Sequence, residues 1–353
     1  NYVGPMITNN NDKLLYAIDH LEDGEWWLVK PEFADDKRYM LKPCVKWGVK
    51  PNSYSFRNEL FAPMLSVVCA DSFEHAIELA NSSEYGLTAG LQSLDESEQK
   101  HWKDSIEAGN LYINRGITGA IVSRQPFGGM KRSAFGGGIK AGGPNYVSCF
   151  VDITNDSNHN PTTEQAVPQN YKSWAGVLRN NDKTKFEQAA VSYDKNYREV
   201  FSVEKDIHQL MGEQNIFRYL PLKKILFRVL PTDELCDTLQ VIAAAQIVKT
   251  PLFISIESAD NKLATLQTLV NKDKILVQDE ATFINSMDKY ERVRTCTAAL
   301  SADIYKKAAE LGLYIATQKP LAEGRIELLH YLKEQSISFE YHRYGSFSEI
   351  PVL

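Results

Sequence analysis

Apolar positions along this 353-residue chain alternate between a helical period and short strand-like runs. Asp71-Ser72-Phe73-Glu74 has the acceptor-x-x-Glu form of a capping box, and Phe73, Ala76, Ile77 and Ala80 then recur at helical spacing, so a helix is predicted to end near Asn81. Leu87 to Leu91 reads as a short buried strand. Asp95 with Glu98 repeats the capping form ahead of a helix carrying Trp102 and Ile106 that stops at Gly109, and Leu111 to Asn114 reads as the next strand. Strands and helices at this spacing predict a largely parallel sheet covered by helices, an α/β fold.

Glycine becomes dense from Arg115 to Gly143, and the chain is rich in Asn, Thr and Pro from Ile153 to Gln169, where a linker is expected. Between them, Val147, Cys149, Val151 and Ile153 alternate with more polar neighbours, which predicts a half-exposed strand over Tyr146 to Ile153 in a protruding hairpin or arm. Beyond Tyr171 strand candidates stand at Ile225 to Leu230, Leu252 to Ile256, Ile275 to Val277 and Leu313 to Ala316. Helical faces at Asp233 to Lys249, Ser301 to Leu311 and Ala322 to Gln335 complete a second α/β unit.

With 43% hydrophobic and 24% charged residues the chain is globular in composition, and a net charge of −6 gives no basic footprint for nucleic acid. The five cysteines, Cys44, Cys69, Cys149, Cys236 and Cys296, form no C-x-x-C pair; no disulfide framework or metal site is suggested, and a reducing, cytoplasmic compartment is expected. No apolar run approaches the roughly 20 residues of a membrane span. The opening Asn1-Tyr2-Val3-Gly4-Pro5 reads as mid-domain sequence, so a piece of a longer polypeptide is expected.

Asn58-Glu59-Leu60-Phe61-Ala62-Pro63 resembles the Glu-hydrophobic-Phe-Gly-Pro segment of aldehyde dehydrogenases, with Ala62 where that family usually has glycine. The resemblance implies that Glu59 binds the vicinal hydroxyls of the nicotinamide ribose of NAD, a task its two acceptor oxygens suit, and that Phe61 packs beside the nicotinamide. Taken alone, Glu59 would read as a solvated charge before an apolar strand.

Arg124-Gln125-Pro126-Phe127-Gly128-Gly129, with Lys131 and Ser133, resembles the Pro-Phe-Gly-Gly-x-Lys-x-Ser signature of the same family. Thr118-Gly119-Ala120-Ile121-Val122 is similar to the aldehyde anchor loop of its glutamate-semialdehyde branch. By that resemblance the backbone amides of Gly119 and Ala120 hold the substrate carboxylate, in a nest that glycine leaves open, and Phe127 walls its aliphatic part. The bland alternatives are a simple turn at Gly119 and a core aromatic at Phe127. Neither G-x-x-x-x-G-K-[ST] nor G-x-G-x-x-G fits between Gly128 and Gly143, so no phosphate loop is read there. Lys140-Ala141-Gly142-Gly143-Pro144-Asn145-Tyr146 resembles the start of that branch's oligomerisation flap.

Gly212-Glu213-Gln214-Asn215, Glu327 to Ser336 and His342-Arg343-Tyr344-Gly345 resemble the extra C-terminal domain of long proline utilization A proteins, which join a proline dehydrogenase to a glutamate-semialdehyde dehydrogenase. The resemblance implies the C-terminal part of an aldehyde dehydrogenase catalytic domain over 1–135, a flap hairpin over 136–155, a linker over 156–170 and a Rossmann-like auxiliary domain over 171–353. The auxiliary domain shows no dinucleotide fingerprint, so a structural duty is expected: covering the flap and closing the internal path of the intermediate. His330, His342 and Arg343 read as packing or interface residues. The substrate implied is glutamate semialdehyde and the cofactor NAD, with FAD belonging to a proline dehydrogenase domain on the same polypeptide. The assembly implied is a homodimer or higher oligomer, cytoplasmic, with peripheral attachment of the parent at the inner membrane left open.

None of the cysteines has the family's Gly-Gln-x-Cys context, so this chain is expected to hold no catalytic residue and to be inactive by itself. Two other readings stand beside the first: a non-catalytic assembly and tunnel-closing module, and a stand-alone semialdehyde dehydrogenase.

Overall fold

The structure is a computed structural model that describes residues 3–156 and 166–341. The chain divides into two compact units, residues 1–86 with 100–107, and residues 87–99 with 108–353.

In the first unit, helix α1 (Asp12–Asp19) is capped by the Asn11 side chain, which accepts from the Leu14 amide at 3.1 Å. Strands β1 (Trp26–Val29), β2 (Cys44–Trp47) and β3 (Met64–Val67) form one sheet, with β1 antiparallel and β3 parallel to the central β2. Leu14, Ala17, Leu41, Cys44 and Leu60 make its core. Helix α2 (Phe73–Asn81) follows as expected, but its cap is Ser72, one residue past the expected Asp71. Asp71 lies outside the helix because His75 Nδ1 accepts its backbone amide instead.

Helix α3 (Glu96–Ser105) is capped as the sequence predicts, Asp95 Oδ1 accepting from the amides of Ser97 and Glu98. In the second unit, β4 (Thr88–Leu91) is half-buried rather than buried, whereas β5 (Asn110–Ile113) is buried at every position. The two are parallel. Their sheet is completed by β6 (Glu213–Pro221) and by a strand from further along the chain, Leu332–Glu340. The latter runs parallel to β5 and antiparallel to β6, giving the order β4, β5, Leu332–Glu340, β6. Residues on both sides of the expected linker thus share one sheet.

A second sheet is parallel throughout: β7 (Ile225–Arg228), β8 (Leu252–Ile256), β9 (Ile275–Val277), β10 (Arg292–Arg294) and β11 (Tyr314–Ala316), in the order β9, β8, β7, β10, β11. Helices α4 (Asn180–Asn196) and α5 (Leu235–Ile247) pack on it around Phe186, Ala190, Leu239 and Phe227. Helix α6 (Ala302–Leu311) starts on a Ser301 cap and stops at Gly312, whose φ of 64° is the left-handed C-terminal stop that glycine allows. This is the expected Rossmann-like arrangement.

Two expectations are corrected. The helix expected over Ala322 to Gln335 is a short helical stretch to Tyr331, then the strand Leu332–Glu340, hereafter β12. Its Glu334, Gln335, Ser336 and Ser338 are buried yet hydrogen-bonded, so the strand shows no apolar alternation. The strand expected over Tyr146 to Ile153 is a 3₁₀ helix from Tyr146 to Phe150, set by amide bonds from Tyr146 to Gly143 and from Ser148 to Asn145. No ladder or bridge is formed there among the described residues, and alternation without a partner strand does not make a hairpin. At the end of the expected linker a 3₁₀ turn runs over Gln169–Tyr171, and Tyr171, the first residue of the expected auxiliary domain, lies in the core. Residues 157–165 and the His342–Gly345 motif lie outside the described residues. Among the described residues no helix is long and apolar enough to cross a membrane.

Candidate substrate-binding site

In the first unit, a helical turn at Tyr54–Arg57 ends on Asn58, whose amide bonds to Tyr54 O, and Leu60 drops into the core. Asn11 Nδ2 holds the Leu60 carbonyl at 2.7 Å. Between these anchors Glu59 is exposed and takes no hydrogen bond or ion pair among the described residues. Phe61 is 74% exposed and stands at a φ of 50°, so the left-handed residue of this turn is Phe61. Ala62 has no positive φ, and alanine therefore serves where the family uses glycine. A bulky residue in that conformation costs on the order of 1–2 kcal/mol. The free carboxylate and the presented ring suit a ribose diol and the face of a nicotinamide.

In the second unit, the loop after β5 carries Gly119 at a φ of 111° and leaves Thr118 to Ser123 exposed. Tyr112 Oη donates to Gly119 O at 2.6 Å, which turns that carbonyl inward. The amides of Gly119 and Ala120 donate to nothing among the described residues. A short bridge between Ile121 and Gln125 closes the loop, and Ser123 N bonds to Gly142 O at 2.8 Å.

The base of the loop is clasped by β6 and β12. Arg124 Nη2 meets Glu213 Oε1 at 2.6 Å, and Arg115 lies 3.8 Å from Glu213 and 3.4 Å from Glu340. Gln125 Nε2 donates to Asn215 Oδ1 at 3.1 Å and Ser338 Oγ at 2.9 Å, while Arg115 Nη1 donates to the same serine at 2.6 Å. His208 shares a 2.9 Å bond with Ser123.

Phe127 stands just beyond. Its amide and carbonyl both bond to Ala141, at 3.0 and 2.9 Å. The Pro126 carbonyl accepts from Asn110 Nδ2 at 3.0 Å and Ser336 Oγ at 2.7 Å. The Gly128 carbonyl accepts from the Lys140 ammonium, which also reaches Asn110 Oδ1 at 2.9 Å. Lys140 is fully buried, and burial pulls its ammonium down to about 7 against the opposing field of Glu334. The Glu334 carboxyl is pushed up by burial in turn, although Oε2 accepts from the Lys140 amide and Oε1 from Asn145. The Phe127 ring, half-buried, lines a groove of about 1180 Å³ with Gly137, Tyr146, Phe150, Arg292 and His330; Gly119 and Ala120 do not line it.

Burial raises the thiols of Cys44, Cys149, Cys236 and Cys296, Cys236 to about 12, the reverse of what a reactive thiolate needs. The clasp was missed as such from the sequence. Its signals were polar residues embedded in strand runs, Asn110 ahead of Leu111-Tyr112-Ile113 and Glu334 to Ser338 within β12.

Residues 1–155 match the aldehyde dehydrogenase family, and this part of the chain is an aldehyde dehydrogenase family domain. Over 98% of its length the chain is similar to proline utilization A (PutA) from Corynebacterium freiburgense, with 36% identity and a TM-score of 0.77, covering 32% of that chain. It is also 37% identical over 147 residues to 1-pyrroline-5-carboxylate dehydrogenases of Geobacillus sp. (strain WCH70) and Bacillus subtilis (strain 168). Those matches cover 41% of this chain and 28% of each relative, so the chain spans less than a third of the curated relatives it matches.

Proposed function

We propose that this chain carries substrate-binding and ribose-binding residues of an NAD-dependent L-glutamate γ-semialdehyde (1-pyrroline-5-carboxylate) dehydrogenase, within a polypeptide that also carries a FAD-dependent proline dehydrogenase. The observation that carries this reading is the pair of unpartnered amides at Gly119 and Ala120 on a loop clasped at its base. Two adjacent N–H groups, free and prepositioned, suit a carboxylate more than any neutral ligand. The similarity to proteins named 1-pyrroline-5-carboxylate dehydrogenase and PutA points the same way.

In this reading Gly119 and Ala120 orient the substrate by its carboxylate, and Phe127 excludes water from its methylene chain. Glu59 accepts from the ribose hydroxyls and Phe61 flanks the nicotinamide, the carbon acceptor that takes up hydride when the cofactor is bound. The nucleophilic cysteine is supplied by the rest of the parent polypeptide, as is the flavin site. Residues 1–135 supply the catalytic-domain part, 136–155 the flap, and 171–353 an auxiliary domain whose β6 and β12 hold the anchor loop.

The test is NADH formation from 1-pyrroline-5-carboxylate, measured for the purified chain and for the parent polypeptide. Turnover by the parent with none by the chain is expected. A parent that leaves NAD unreduced removes the reading.

A second reading, a non-catalytic assembly module, draws on the exposed apolar residues of the flap region, Val147 at 74%, Phe150 at 71% and Val151 at 53%. The two separate on Glu59: Glu59→Gln weakens NAD binding under the first and changes nothing under the second.

A further inference from the structure

Lys140 does a task that the binding groups do not explain. It is fully buried, and no large lysine is placed there without reason, since a desolvated ammonium costs several kcal/mol unless it is bonded and paired. Among the described residues its Nζ reaches Asn110 Oδ1 and Gly128 O, and both belong to the cradle that holds the Phe127 main chain. Asn110 in turn donates to Pro126 O and accepts from the Gly128 amide at 3.2 Å. The residues before and after Phe127 are therefore both tied to Asn110, Gly128 is tied to the ammonium as well and Pro126 to Ser336, and Ala141, the neighbour of Lys140, ties Phe127 itself.

The packing leaves no slack in this cradle. A Cβ on Gly128 would stand 3.3 Å from Lys140 Cγ, and one on Gly143 would stand 3.0 Å from Lys140 O and 3.4 Å from Pro126 Cβ. The other end of Lys140 is fixed by its own amide on Glu334 Oε2, and Glu334 is held by Asn145, which also bonds Tyr219 Oη at 2.8 Å. Force on the lysine is thus passed to β12 on one side and to the Phe127 main chain on the other.

Resting on the semialdehyde dehydrogenase reading above, we propose that Lys140 is a positioning residue for that substrate: its ammonium, locked between Asn110 and the Gly128 carbonyl, sets the place of the Phe127 wall without touching the substrate. Lys140→Met keeps an unbranched apolar stem one atom shorter than lysine and removes both bonds. In the parent enzyme this variant is expected to raise KM for the semialdehyde at least about tenfold, with kcat within about threefold and KM for NAD unchanged, the pattern of lost placement rather than lost chemistry.

A residue that served stability alone would lower the active fraction, and hence kcat, at constant KM. Wild-type KM in soluble Lys140→Met overturns the proposal. If that variant does not fold, Asn110→Ser cuts the same bond from the opposite side and is read the same way; if neither folds, the pair is a folding element and the proposal is overturned. Absence of turnover in the unsubstituted parent overturns the activity on which it rests, a result separate from an active parent with an indifferent variant.

Discussion

Arg124 and Glu213 meet at 2.6 Å, joining the segment that follows the anchor loop to the first residue of β6. The glutamate is 14% exposed and also faces Arg115 at 3.8 Å, so one carboxylate answers two guanidinium groups. Glu213→Gln keeps the shape and removes the charge. It is expected to destabilise the second unit by about 1–3 kcal/mol, since charge-assisted bonds of partly buried groups are worth about that much. If the proposed function holds, the KM for the semialdehyde in the parent rises with little change in KM for NAD. Urea unfolding and steady-state kinetics check the two parts.

Gly109 has no room for a side chain. An added Cβ would lie 1.9 Å from Gly128 O and 2.8 Å from Gly129 Cα, both backbone atoms. Gly109→Ala is therefore expected to shift the strand that follows it or the Pro126–Gly129 segment, at a cost of about 1–3 kcal/mol or more. A thermal melt of the variant, compared with the unsubstituted protein, reads this directly; an unchanged midpoint would contradict the close approach.

Arg294 and Glu327 form a fully buried pair at 3.1 Å, and Glu327 also accepts from Tyr331 Oη at 2.8 Å and the Leu321 amide at 2.9 Å. Removing one member strands the other charge in the core. Glu327→Leu is expected to cost about 3–5 kcal/mol, where an exposed pair such as Lys50 with Asp23 would cost a small fraction of that. Denaturant midpoints of Glu327→Leu and Asp23→Ala provide the comparison.

Lys140 makes stability depend on pH in an uncommon direction. Burial holds its folded value at about 7, whereas an unfolded lysine titrates near 10.5. Between those values the unfolded chain binds the extra proton, so this group raises stability as pH climbs from about 7 toward 10 and withdraws it as pH falls through 7. Glu334, pushed up by burial, acts at the acidic end with the opposite sign, its contribution being lost as pH rises through its folded value. Lys140→Met should flatten the neutral-to-alkaline rise, measured as the urea midpoint against pH for both proteins. An identical slope in the two would remove Lys140 as its source.

Much of the fold was legible where one face of an element is apolar. Leu252–Ile256 and Ile275–Val277 sit where their apolar runs place them, and α6 begins at Ser301 and ends at Gly312 as its cap and stop signals require. Helix α4 was legible too but unread: Phe186, Ala189, Ala190 and Tyr193 lie at helical spacing and are buried, yet two are small and the surrounding residues are polar. Strand β12 was illegible for a different reason. Buried on both faces, it satisfies its polar side chains by bonds to Pro126, Asn215, Arg218 and Ala108, partners that are remote in sequence. The anchor loop and the Pro-Phe-Gly-Gly segment were legible as motifs; what holds them was not, because the Gly212–Asn215 motif and Ser338 give no sign in sequence of their contacts with Arg124 and Gln125, which are remote along the chain.

The span between Arg115 and Ser338, which share a 2.6 Å bond, is 223 residues. A ribosome therefore delivers the loop long before the strand that secures it. Through that interval the loop has its glycine, its free amides and its two arginines, but no clasp, and a non-local closure of this size is slow relative to local helix formation. A chain broken before residue 332 would therefore carry the loop's glycine, amides and arginines while lacking the strand that holds them still.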